Sequence, residues 1–99
     1  MIDFEAIDKV IHEKARLSIM TLLATHGEWS FQDLKAELTM SDGNLITHLR
    51  KLTESEYVLE TRDDSSTRPR TTYALTKLGK KAFKGYIAVL EAIVKSMKP

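Results

Sequence analysis

Five residues near the middle of the chain, Gly43, Asn44, Thr47, Arg50 and Lys51, share a spacing and a chemistry. Interleaved with them are Leu45, Leu49 and Leu52. At about 100° per residue, a helix puts the leucines on one side and the five on the other. The outward set holds amide, hydroxyl and cationic groups and no acid. Such groups on one helix face suit recognition of a surface. Asn pairs bidentately with adenine, and Thr meets either a hydrogen-bond acceptor or a thymine methyl group. Arg50 and Lys51 lie farther along, where phosphates flank a groove. Gly43 lets the helix N-terminus approach closely, and the unpaired N–H groups of that end suit a phosphate. Ser41 is placed as the N-cap, its hydroxyl accepting from the N–H of Gly43 or Asn44. Asp42 opposes an anion and reads as a helix-start residue. The competing reading is a solvated helix face in a protein-binding module.

Arg68-Pro69-Arg70 is a second cationic feature, in which the proline restricts the backbone and holds two guanidinium groups near a turn. Arginines at such a tip gain from the negative potential of a narrow minor groove, while Asp63 and Asp64 weaken the effect unless they face away. The bland alternative is a solvated hairpin. Other chemistry is poorly provided for. The chain has no Cys, which excludes disulfides, thiolate metal ligands and thiol nucleophiles. His12, His26 and His48 match no local zinc motif, although a site assembled between two subunits stays open. His48, at the margin of the leucine stripe, reads as a hydrogen-bonded packing residue. No glycine-bracketed nucleophile, His-Glu pair at metal spacing or glycine-rich phosphate loop frames the remaining Ser, His and Asp residues. The expectation is a protein with no catalytic residue, no metal and no cofactor.

The elements that must position these side chains can be read from the pattern around them. Ile2, Phe4, Ile7, Val10 and Ile11, then Leu17, Ile19, Met20, Leu22 and Leu23, recur at helical spacing up to Gly27. They predict two helices, or one broken near His12. Glu28-Trp29-Ser30 has room only for a bridging strand. Ser30, three residues before Asp33, opens a helix with Phe31, Leu34 and Leu38 inward, ending near Thr39-Met40; Ser41 opens the next. Segments 57–62 and 70–75, rich in β-branched and aromatic residues, flank the polar run Asp63 to Pro69 and predict an antiparallel hairpin. Thr76 caps a final helix of about 20 residues, ~30 Å long, predicted to end only at Pro99.

That helix carries its own signal. Phe83, Tyr86, Leu90, Ile93 and Met97 follow the 3-4-3-4 spacing of a coiled-coil seam, and Ile87 and Val94 widen it. A small core covers only the first part of such a helix. The rest predicts a partner, most simply the same region of a second copy together with Ile2, Phe4 and Ile7.

Composition sets bounds without deciding between partners. The 99 residues, 42% apolar and 29% charged, predict one folded domain over 1–99. The helix-turn-helix lies at about 30–54, the hairpin at about 57–75 and the last helix at about 77–97. Net charge is +1, but it is unevenly placed: residues 1–40 carry four Lys/Arg against seven Asp/Glu, and residues 76–99 carry six against one. A solvated helix face explains those last lysines at least as well as phosphate contact. No basic and apolar leader opens the chain and no apolar run nears the ~18 residues of a membrane span, so a cytoplasmic protein with no membrane partner is expected.

Three stretches together carry a family resemblance: Ile11-His12-Glu13-Lys14-Ala15-Arg16-Leu17, Ser41-Asp42-Gly43-Asn44-Leu45-Ile46-Thr47-His48-Leu49-Arg50-Lys51-Leu52, and Arg68-Pro69-Arg70-Thr71-Thr72-Tyr73-Ala74-Leu75-Thr76-Lys77-Leu78-Gly79. The chain resembles the winged-helix regulators related to the MarR and ArsR groups. More narrowly, it is similar to small stand-alone archaeal and bacterial regulators whose reading helix begins with the same Ser-Asp-Gly-Asn-Leu run. The resemblance covers nearly the whole chain. It implies a mainly α winged helix-turn-helix fold with a small β-hairpin wing, and a homodimer joined by its terminal helices. The implied partner is double-stranded DNA, with Ser41, Gly43, Asn44, Thr47, Arg50 and Lys51 at the major groove and Arg68 and Arg70 on the wing. Two departures matter. The position of Thr47 is often basic in similar proteins, so base preference does not carry over, and the Cys metal sites of many ArsR-like sensors are absent. A small-molecule effector is left unassigned. The alternative function is a protein-interaction adaptor that binds no DNA.

Overall fold

The computed structural model describes residues 1–65 and 67–97. The order of elements is a 3-10 turn Phe4–Ala6, α1 Lys14–His26, β1 Trp29–Ser30, α2 Phe31–Leu38, α3 Asp42–Glu54, β2 Val58–Asp63, β3 Arg70–Leu75 and α4 Lys77–Ser96. The architecture is a winged helix: a helical core with a hairpin wing. The wing hairpin is part of a three-stranded antiparallel sheet in the order β1-β3-β2. Trp29 and Ser30 pair with Tyr73 and Thr72, and β2 pairs with β3 from Val58–Leu75 at the base to Asp63–Arg70 near the tip.

Local chemistry explains most of the boundaries. Glu13 caps α1 by accepting from the Arg16 N–H at 2.8 Å. The chain leaves that helix at Gly27, whose φ of 76° suits a residue without a Cβ. Ser30 caps α2 by accepting from Asp33, and Ser41 caps α3 by accepting from the Asn44 N–H at 3.2 Å. Between them Thr39 takes the left-handed conformation, φ 51°, that closes α2. Lys35 of α2 then reaches Asp42 in the first turn of α3 at 2.8 Å, tying the two helices across their turn.

The first apolar series does not form the predicted helix. Only Phe4–Ala6 make a short 3-10 turn, and regular helix starts at Lys14. The aspartates explain the difference. Asp3 accepts from the Glu5 N–H, and Asp8 accepts from the N–H groups of Val10 and Ile11 at 2.8 and 3.1 Å. Side-chain acceptors placed this way compete with helical carbonyls for the same donors. The Tyr57 hydroxyl donates to the other Asp8 oxygen, fastening the segment to the start of the wing. Burial and that bond push the Tyr57 phenol up to about 12.

The core gathers Ile11, Ile19, Met20, Leu23, Leu34, Leu45, Leu49, Leu52, Val58, Tyr73 and Tyr86. Burial of each large apolar side chain stabilises the fold by about 1.5–3 kcal/mol, so the leucine stripe fixes which face of α3 turns outward. One joint is unusually tight. Gly79, in the first turn of α4, lies so close to the strand entry that a Cβ there would sit 2.1 Å from the Tyr57 carbonyl oxygen. Thr76 bridges the same joint, accepting from the Gly79 N–H at 2.9 Å and donating to the Glu56 carbonyl at 2.6 Å.

Helix α4 packs against the core as far as Leu90 and then extends past it. The molecule measures 57 × 26 × 21 Å with a radius of gyration of 15.1 Å, where a compact chain of this length has about 13 Å. Helix α4 ends at Ser96; the predicted continuation to Pro99 falls on Lys98 and Pro99, outside the described residues.

Candidate nucleic-acid interface

Helix α3 is buried along its leucine stripe and open on the opposite side. Leu45, Leu49 and Leu52 are buried at 0, 2 and 0% exposure, while Gly43, Asn44, Thr47, Arg50 and Lys51 are all exposed. The Thr47 hydroxyl donates to the Gly43 carbonyl one turn back at 2.8 Å. The side chains of Asn44, Arg50 and Lys51 take no hydrogen-bond or ion-pair partner among the described residues. They are available to a ligand without breaking anything. Glu54, nine residues after Leu45, returns to the outward side in the last turn. The acid-free face therefore ends before the helix does.

One flank of α3 rests on a polar cluster from the chain's beginning. Arg16 donates through Nε to the Val10 carbonyl at 2.6 Å, and its Nη1 lies 3.2 Å from His48 Nδ1. Glu13 Oε1 stands 3.6 Å from the same ring nitrogen. Partial burial raises the Glu13 carboxyl, but N–H donation from Arg16 and Ala15, with His48 and Arg16 beside it, holds it below the ordinary value. His48 thus sits in a supporting network behind the reading face, and the Glu13-Lys14-Ala15-Arg16 run supplies its partners.

The wing is differently arranged. Arg70 opens β3, and its Nη2 lies 3.7 Å from Asp33 of α2. Arg62 of β2, absent from the pair of cations expected on the wing, donates through Nε to Asp64 at 2.9 Å. Strand alternation was the signal that could have found it, because Arg62 stands opposite Thr71, one step from the turn. Asp63 accepts twice from Ser65, through its N–H and its hydroxyl, and these bonds lower its carboxyl below the usual range. Arg68 is exposed and also engaged; Ser66 lies outside the described residues. Between the wing and α2 is an open cleft of about 810 Å³ lined by Phe31, Asp33, Arg62, Arg68 and Arg70 among others.

The apolar residues named for a subunit interface divide by burial into three groups. Tyr86 is the correction: at 3% exposure it belongs to the chain's own core, and its hydroxyl lies 2.8 Å from His12 Nδ1, a partner 74 residues away. Ile7, Phe83, Ile87 and Leu90 are half-buried against the same core. Ile2 and Ile93 are half-buried as well. Phe4, Val94 and Met97 are exposed at 64, 66 and 75%. Of the residues named for the interface, the exposed ones are therefore at the far end of α4 and in the first turn, rather than along the whole seam. Among the described residues no three His, Asp or Glu side chains gather as metal ligands, and no helix is long and apolar enough to cross a membrane.

Comparison with known proteins agrees with this geometry. A family model described as a winged helix DNA-binding domain matches residues 15–94. The chain is 32% identical over 90 residues to an uncharacterized protein of Methanocaldococcus jannaschii, covering 91% of this chain and 98% of that one. A solved transcriptional regulator homologue from Pyrococcus horikoshii OT3 has a TM-score of 0.88 at 25% identity, over 96% of this chain and 95% of that one. A protein of Porphyromonas gingivalis W83 assigned to the MarR family of transcriptional regulators has a TM-score of 0.69 at 23% identity, over 88% and 80% of the two chains. At that identity the likeness is one of fold.

Proposed function

The chain belongs to the winged helix DNA-binding domain family, and from that premise we propose that it is a homodimeric transcription regulator that reads double-stranded DNA with α3. The observation that carries this reading is the outward face of α3, whose Asn44, Arg50 and Lys51 are exposed and unengaged among the described residues while the opposite face is locked into the core. In this reading Ser41 and Gly43 bring the helix N-terminus against the duplex, Asn44 and Thr47 meet base edges in the major groove, and Arg50 and Lys51 hold phosphates. Arg68 and Arg70 carry the wing onto the minor groove or the backbone. The process has no chemical step. Regulation follows from occupying DNA or recruiting to it.

A second copy is supported by the length of α4 beyond the core and by Val94, Met97 and Phe4, apolar side chains left in water. A dimer that reads one duplex face needs its two reading helices about 34 Å apart, the separation of successive major grooves. Light scattering of Val94→Glu tests the dimer. A charge across a desolvated interface costs several kcal/mol, enough to turn a micromolar dimer into a monomer; a variant as dimeric as the parent places the interface elsewhere.

DNA binding itself is tested by titrating pooled duplexes at two salt concentrations. A reader of this kind loses affinity steeply as salt rises, with log K falling by about 0.9 per phosphate contact for each tenfold increase in salt. No duplex binding at low salt contradicts the proposal and favours the adaptor function.

A further inference from the structure

Among the large apolar side chains of α3, only Ile46 is left exposed, at 42%. Single exposed apolar residues are ordinary on protein surfaces; what distinguishes this one is its place. At about 100° per residue, Ile46 lies on one margin of the outward face and Asn44 on the other, with Thr47 and Gly43 between them. Ile46 is on the margin toward the wing, where it lines an open groove with Leu49, Arg50, Thr53, Glu60 and Tyr73. Its neighbour Thr47 has already given its hydroxyl proton to the Gly43 carbonyl, so it offers a partner only lone pairs and a methyl group. The outward face thus carries one large apolar side chain, on the margin toward the wing and beside Arg50.

An A·T pair presents two kinds of group in the major groove: the N6 donor and N7 acceptor of adenine, and the O4 and 5-methyl of thymine. We propose that Ile46 makes an apolar contact to a thymine 5-methyl group, so that α3 reads A·T pairs by amide on one margin and by methyl contact on the other. This rests on the DNA-reading function proposed above. Ile46 is then a specificity-determining residue, and its β-branched side chain, a modest helix former, has a use at an exposed position.

The test uses a duplex enriched from a random pool by the purified protein, with its thymines replaced by uracil. Uracil keeps the pairing and the O4 acceptor and lacks only the methyl group. The parent protein is expected to lose affinity about fourfold for each contacted methyl group. Ile46→Ala is expected to bind the thymine duplex more weakly and to be indifferent to uracil, with Ile46→Val keeping part of the sensitivity. Thermal melts check that both variants remain folded. Equal binding of the two duplexes by the parent overturns the inference while leaving DNA reading intact. Equal sensitivity in the parent and Ile46→Ala also overturns it, by assigning the methyl contact to another residue. If no duplex is enriched or bound at low salt, the DNA-reading function fails and the inference falls with it.

Discussion

Helix α3 and the wing both present cations, but they hold them in different states. On α3, Arg50 and Lys51 make no ion pair among the described residues, and the helix beneath them is fixed by the leucine stripe, the Arg16–His48–Glu13 cluster and the Lys35–Asp42 bridge. On the wing, Arg62 and Arg70 already face carboxylates, Asp64 and Asp33. A phosphate arriving at α3 meets groups ready to receive it; one arriving at the wing must displace an acid. Exposed ion pairs are worth only about 0.2–1 kcal/mol, so the exchange is possible, but it lowers the net gain of each wing contact. On the proposed reading, existing partners as well as position and charge rank the candidate contacts.

The comparison breaks most completely if the joint between the wing and α4 is disturbed. Gly79→Ala drives a methyl group into the Tyr57 carbonyl, which the start of β2 relieves only by shifting. A loss of about 3 kcal/mol in urea unfolding is expected, at the upper end for overpacking; an unchanged midpoint means that α4 can move away without cost.

A smaller effect separates the two cation sets. Lys51→Ala is expected to weaken binding to all duplexes by about 1.5–3 kcal/mol, as for a charge-assisted hydrogen bond with no competing partner. Arg68→Ala together with Arg70→Ala lowers the salt slope by about 0.9 for every phosphate that the wing no longer neutralises, at a smaller cost in affinity for each residue than Lys51→Ala. Wing substitutions that cost more than Lys51→Ala reverse the ranking. The smallest effect sharpens it. Asp33→Asn releases Arg70 from its acid, and binding at low salt is expected to tighten by at most about fivefold, the worth of an exposed pair. Weaker binding from Asp33→Asn indicates that the pair holds the wing in a useful position.

The sequence was most legible where structure is local. The leucines of α3 recur within four residues, Ser41 stands one position before the helix it caps, and Trp29-Ser30 has no room for anything but a bridge. The N-terminal series misled because apolar spacing is only one contributor: Asp3 and Asp8 take backbone N–H groups that a helix needs. Tyr86 fitted the seam by spacing, yet its burial depends on His12 and on the path of the first thirteen residues. The acids opposite Arg70 and beside Arg62 belong to the fold as well. Asp33 reaches Arg70 only because α2 packs beside β3, which hydrophobic periodicity does not report. Spacing therefore misplaced both a segment whose own aspartates compete for its N–H groups and side chains with long-range partners.

The central claim, that the outward face of α3 reads base pairs, is tested most directly at Asn44. The measurement is the affinity of the parent and of Asn44→Ala for the enriched duplex and for each of its single-base-pair variants. The parent is expected to discriminate at several positions, and Asn44→Ala to lose about 1–3 kcal/mol of discrimination at one A·T pair while keeping the rest. An Asn44→Ala protein that binds every variant with the parent's preferences, or that weakens on all of them equally, contradicts base reading by this face.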